Sequence, residues 1–206
     1  MTGRIITVRH GMPDQDRNVR ISAREYGEWW AGYDRSGLVP GQTPPEALID
    51  LAAQAETIFS STLPRAIETA ALLTGGGREV PQDVIFVEAP LPPPPVPFLR
   101  LRPGTWGVIS RSFWVSGFAP DGIENNSASW RRVDEVASRL IAASQSGDVM
   151  LCAHGYLNWM LDRRMKKLGW VKTSHVGRNH YFSWRVYSSK GAIETDHSPS
   201  EKLAAE

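Results

Sequence analysis

Two apolar runs in this chain each end in a histidine followed by glycine. Ile5-Ile6-Thr7-Val8 leads into Arg9-His10-Gly11, and Val149-Met150-Leu151-Cys152-Ala153 leads into His154-Gly155. Such runs read as buried strands, and the glycine breaks each one just after the histidine. Both imidazoles therefore fall at the carboxyl ends of strands, where open α/β sheets place their ligands. A third segment adds another cation: residues 56–61 read as a strand, and Leu63-Pro64-Arg65-Ala66 then opens a helix with proline in its first turn. Arg65 would lie where free helical N–H groups already favour phosphate. Two histidines and two arginines so placed suit an anion, and a phosphoryl group best. A neutral imidazole can attack phosphorus, and a guanidinium presents a planar fork of donors to phosphate oxygens.

The order and wide spacing of three stretches carry a resemblance. They are Arg9-His10-Gly11, then Ser60-Ser61-Thr62-Leu63-Pro64-Arg65-Ala66-Ile67-Glu68-Thr69-Ala70, then Ala153-His154-Gly155. Together they resemble the histidine phosphatase (phosphoglycerate mutase-like) superfamily over nearly the whole chain apart from its carboxyl tail. The resemblance implies an α/β fold, a three-layer α/β/α sandwich with a mostly parallel central sheet. It also implies a phosphomonoester hydrolase with a phosphohistidine intermediate and no metal or cofactor. His10 is then the nucleophile, Arg9, Arg65 and His154 hold the phosphate, and His154 also belongs to the catalytic set. In the family a glutamate near position 88 donates the proton. Residues 83–88 read as a strand with Glu88 at its end, on the same rim as His10, Arg65 and His154. One departure stands out. Met12 and Pro13 replace a polar pair usual after the Arg-His-Gly, which leaves Gln15, Asp16 or Asn18 to supply the missing phosphate contact.

The substrate class stays open between a small phosphate ester and a phosphoprotein. Mutases of the family are usually longer and carry extra charged contacts for a bisphosphorylated intermediate, and none is matched here. A phosphoglycerate mutase-type phosphotransferase is thus the first alternative, and a non-catalytic phospho-ligand or protein-binding module the second.

Composition is ordinary for a soluble globular protein. The 206 residues suffice for one domain with a sizeable core. A formal net charge of +1 argues against a general nucleic-acid or membrane-surface binder, while a homo-oligomer is compatible with it. The one cysteine, Cys152, sits inside an apolar strand and reads as a buried, inert thiol of a reducing compartment. No basic-plus-apolar leader precedes the first strand, and no apolar run approaches ~18 residues. The expected location is the cytoplasm.

The elements that must position these residues follow from periodicity and caps. Residues 22–35 form a helix with Ser22 and Glu25 as a capping box. Its aromatics Tyr26, Trp29, Trp30 and Tyr33 fall at helical spacing, which favours core packing or a subunit contact over ligand stacking. A short helix covers residues 45–54, and Gly75-Gly76-Gly77 stops the Arg65 helix. Residues 89–98, with six prolines between Pro90 and Pro97, are expected to run as stiff polyproline II. With the aromatic segment behind them they form a lid insertion at about 89–122, in which Trp106 and Trp114 either line the pocket or belong to the core. Of Arg100, Arg102 and Arg111, one could reach a substrate anion. A long helix at 128–146 capped by Ser127, a helix at 156–168 with a basic solvated face, and an edge strand at 180–187 complete a single domain at 1–189. Residues 190–206 read as a mobile tail.

Overall fold

A computed structural model describes residues 2–191. The tail expected to be mobile lies outside the described residues, apart from Lys190 and Gly191, which are helical. In chain order the elements are β1 (Ile5–Arg9), α1 (Ala23–Arg35), α2 (Glu46–Gln54), β2 (Thr57–Ser61), α3 (Pro64–Thr74), β3 (Gln82–Asp83), α4 (Pro103–Val115), α5 (Asn126–Ala143), β4 (Val149–Ala153), α6 (Gly155–Lys167), β5 (Trp170–Val176) and β6 (Trp184–Ser189). The sheet order is β3-β2-β4-β1-β6-β5. The first four of these run parallel, and β6 and β5 are antiparallel additions. The result is a mostly parallel sheet between helical layers.

The apolar runs around His10 and His154 are continuous because β1 and β4 are covered on both faces. Ile5, Val149 and Leu151 pack against Val133, Val136 and Leu140 of α5 and Leu157 and Leu161 of α6. Ile6, Val8, Met150 and Cys152 face Leu48 and Ala52 of α2 and Ala70 and Leu73 of α3. Parallel register Val8↔Cys152 and Arg9↔Ala153 brings the two histidine-bearing ends level. The α1 capping box forms as the spacing predicts: Glu25 N–H donates to Ser22 Oγ at 3.3 Å, and Ser22 N–H to Glu25 Oε2 at 2.7 Å. Gly75 closes α3 with φ 62°, a left-handed cap that favours glycine.

Several expectations need correction. Residues 83–88 are not a strand: pairing stops at Asp83, and Val84–Phe86 form a 3-10 turn. Asp83 Oδ1 accepts the Ile85 N–H at 3.0 Å, a local bond that competes with the ladder. The long helix starts at Asn126, and its cap is Asn125, whose side chain accepts the Ala128 N–H at 2.9 Å; Ser127 is not the cap. The last strand is β6, displaced from 180–187 to Trp184–Ser189, and it is interior. The edge belongs to β5, which reads poorly as a strand because five of its seven residues are exposed.

The proline-rich stretch is tied down between α1 and α4. Ser110 Oγ donates to Pro92 O at 2.7 Å, Pro93 lies against Gly27, and residues 21 and 101 exchange backbone hydrogen bonds. Trp106 and Trp114 are fully buried, with their indole N–H groups on Ile21 O and Glu124 O at 2.7 and 2.8 Å. Both are core, and neither lines the cavity described below. Trp106→Ala or Trp114→Ala should therefore cost about 3–5 kcal/mol of stability. Urea denaturation is the check, and the activity that survives should fall alike for every substrate.

Candidate active site

Arg9, His10, Arg65 and Glu88 line one cavity of about 560 Å³, at the carboxyl ends of the parallel strands. His154 stands behind it, fully covered, with its ring centroid 5.3 Å from that of His10. All five residues singled out from the sequence thus meet in one place.

His10 is buried, and its Nδ1 lies 2.7 Å from Gly11 O. A carbonyl only accepts, so Nδ1 carries the proton and Nε2 keeps its lone pair. Burial, then the Arg65 charge, pushes the His10 pKa well below 6.5, with the Gly11 bond opposing and Arg9 and Arg17 adding to the fall. Gly11 is required on steric grounds, since a Cβ there would meet Phe182 Cζ at 2.5 Å. Phe182 itself sits at φ 56°, uncommon for a bulky residue, and its N–H donates to His10 O at 3.3 Å. The Gly11 N–H donates to Thr69 Oγ1 at 2.9 Å, and that hydroxyl donates to Arg65 O at 2.6 Å. Thr69 thereby ties the His10 loop to α3.

Arg65 is a buried guanidinium held on Tyr33 O at 2.9 Å and Asp34 Oδ1 at 3.0 Å, with its Cζ 4.4 Å from the Tyr33 ring centroid. Burial raises the Asp34 pKa although the Arg65 charge pulls it down. Arg9 donates to Asn179 O and lies over Tyr181 at 5.0 Å. Gly155 makes room for it, because a Cβ there would come within 3.3 Å of Arg9 Nε. His154 Nε2 lies 2.8 Å from Ser61 Oγ, and burial followed by the Arg65 and His10 interactions takes its pKa well below 6.5. Arg9 Nε, Arg65 Nε and His154 Nδ1 are three of ten buried side-chain polar atoms, among the described residues, that have no hydrogen-bond partner.

Glu88 follows the 3-10 turn and caps α6. Its Oε1 accepts from Leu157 N–H at 2.8 Å and Ala89 N–H at 3.0 Å, and its Oε2 from Tyr156 N–H at 3.0 Å. It is neither a freely solvated charge nor the end of a strand.

The missing polar contact after Gly11 is not made by the residues expected. Gln15 accepts from Ser36 Oγ, Asp16 Oδ1 accepts the Asn18 N–H within its own turn, and neither they nor Asn18 line the cavity. Arg17 does line it, donating to Tyr181 OH. Only its place in the polar loop after His10 hinted at this. Arg111 also reaches the cavity, with its donors on Pro90 O at 3.1 Å and Ala89 O at 3.0 Å. The α1 aromatics divide: Tyr26 is core, while Trp29, Trp30 and Tyr33 line the cavity, against the expectation of packing or subunit contact alone. Cys152 is fully buried, and burial raises its thiol to about 12.

No family model matches this chain, and no curated protein does. Solved structures do. A mycobacterial hydrolase superposes with a TM-score of 0.58 at 22% identity, over 89% of this chain and 88% of its own. A mycobacterial glucosyl-3-phosphoglycerate phosphatase in complex with VO3 gives 0.57 at 22%, over 90% and 92%. A structure from Escherichia coli described as a putative α-ribazole-5'-P phosphatase gives 0.52 at 17%, over 79% of each chain. The likeness is one of fold: the chain shares with these structures a mostly parallel sheet between helical layers.

Both buried imidazoles bind protons less readily in the folded protein than in the unfolded chain. Above about pH 6.5 neither state holds these protons, and the stability from burying neutral rings is complete. As pH falls below that value, the unfolded chain takes up protons that the folded site refuses. Stability should then drop by up to about 1.4 kcal/mol per pH unit for each histidine, until the lowered folded values are passed. Urea midpoints between pH 7.5 and 5.5, without phosphate, are the measurement, and His10→Gln should flatten the slope.

Proposed function

We propose that the protein is a phosphomonoester hydrolase that works through a phosphohistidine on His10. The observation that carries this reading is the fixed tautomer of His10, whose Nδ1 is committed to Gly11 O beside two guanidiniums. An uncharged imidazole with a free Nε2 lone pair is the form that attacks phosphorus. The phosphatase names of the structural neighbours agree with it, although likeness at 22% identity concerns the fold and not the substrate.

In the proposed first step Nε2 attacks in line and the bond to the ester oxygen breaks. Arg9, Arg65 and His154, through its unpartnered Nδ1, hold the three equatorial oxygens as charge spreads over them. Glu88, oriented by three backbone N–H groups, gives its proton to the leaving oxygen. In the second step Glu88 takes a proton from water, whose oxygen attacks phospho-His10 and releases phosphate. Hydrolysis is preferred to transfer to a second phosphorylated site because, of the further cations on the lining, Arg17 donates to Tyr181 OH and Arg111 to the Pro90 and Ala89 carbonyls.

His10→Ala should abolish hydrolysis. A phosphodonor quenched without acid should trap a base-stable, acid-labile phosphoenzyme on the wild type, and near-normal turnover by the alanine variant would sink the assignment. Glu88→Gln should cost far more with an alkyl phosphate than with nitrophenyl phosphate, because a good leaving group departs without a proton. Equal losses on both would place the acid elsewhere.

A further inference from the structure

Beyond the phosphate-binding end, the cavity is walled by rings. Trp29, Trp30 and Tyr33 come from α1, and Tyr156 and Trp159 from α6. Trp30 and Tyr33 are stacked at 5.0 Å and 28°, and Tyr156 and Trp159 at 4.9 Å and 19°. Tyr33 also packs edge-on to His10 at 6.4 Å, so the aromatic wall begins beside the nucleophile.

Helix α4 closes the space with Gly104, Gly107 and Val108. Gly104 stands in the first turn of α4, directly after Pro103, and Gly107 follows one turn on; glycine weakens a helix interior relative to alanine, so Gly107 asks for a reason. Packing does not supply it. A Cβ on Gly104 would meet nothing within 4 Å, and one on Gly107 would meet only Tyr26 Oη at an ordinary 3.6 Å. What the two glycines do is leave a flat backbone surface towards the cavity.

Among the described residues Glu88 is the only carboxylate on the lining; Ser112, Asn179 and the Tyr33 and Tyr156 hydroxyls can also accept, while Arg17 and Arg111 only donate. Rings and a bare helix face fit the faces of a flat apolar group.

We infer that the group carried by the phosphate is a flat, apolar ring system. This rests on the phosphatase reading, and the test separates the two. Wild-type protein is given 2-(2-naphthyl)ethyl phosphate, glucose 6-phosphate and ethyl phosphate, all esters of primary alcohols, so that leaving-group chemistry is nearly matched. The expected kcat/KM for the naphthylethyl ester is at least tenfold above that for either of the others, mostly through KM. Gly104→Leu, which improves helix propensity and fills the flat surface, should cut that preference at least fivefold while the melting temperature holds. Binding of 2-(2-naphthyl)ethyl phosphonate and ethyl phosphonate is measured alongside, by quenching of tryptophan fluorescence. A tenfold tighter naphthyl compound supports the ring site even if no ester turns over, in which case the phosphatase reading alone fails. Equal affinities, or glucose 6-phosphate turned over as well as the naphthylethyl ester, overturn the ring inference, and turnover of any ester leaves the phosphatase reading standing.

Discussion

Positive charge held away from water is the constraint around which this site is built. The Arg65 side chain is buried, and its one carboxylate partner, Asp34, is partly open to solvent. Arg9 adds a second guanidinium, bonded to a backbone carbonyl and stacked on a ring rather than paired with an acid. Burying charge is tolerable only when its hydrogen-bonding atoms find partners. The Tyr33 carbonyl, the Tyr33 and Tyr181 ring faces and the Asn179 carbonyl perform that service. Burial first, and then the same field, lower the pKa of both imidazoles well below 6.5. Arg9 Nε, Arg65 Nε and His154 Nδ1 are left without a hydrogen-bond partner beside this charge.

The rest of the architecture fixes the groups facing the cavity. The N–H groups at the start of α6 hold the Glu88 carboxylate, and Arg111 fixes the backbone behind it through the Ala89 and Pro90 carbonyls. The Arg111 guanidinium lies 3.8 Å from the Tyr156 ring centroid and 4.7 Å from that of Trp114. Helices α4 and α6 are thereby locked together across Glu88. Stiff prolines suit this arrangement, since a chain with few conformations to lose is ordered at small entropic cost. From the other side, the connection between β5 and β6 contributes Asn179, Tyr181 and Phe182. A hairpin at the far edge of the sheet therefore shapes the surroundings of His10.

His10 and its nearest cations were legible in the sequence because strand ends are local features. An apolar run broken by glycine fixes where the chain leaves the sheet, and parallel strands all leave on one rim. That reasoning brought His10, Arg9, Arg65 and His154 together without any knowledge of contacts. It succeeded less fully at Glu88, which reaches the rim through a turn and not a strand, because the Asp83 side chain captures the Ile85 N–H. It missed β5, whose exposed polar face carries no buried alternation for a pattern to detect.

The sequence by itself determined the α/β architecture, the two-sided burial of β1 and β4 and the cluster of phosphate-suited side chains, since each depends on residues close in the chain. Only the tertiary structure decided what surrounds that cluster. Helical spacing placed Tyr26, Trp29, Trp30 and Tyr33 on one face, but could not say that Tyr26 would go to the core and the others to the cavity. That division depends on where α4 docks, and Trp106 and Trp114 turn inward for the same reason. Arg17 and Arg111 look alike as surface cations until long-range packing sets them beside His10 and Glu88. Periodicity reports which side of an element is apolar. Which neighbour covers that side, or whether a ligand-sized space is left there, is fixed by contacts between residues far apart in the chain.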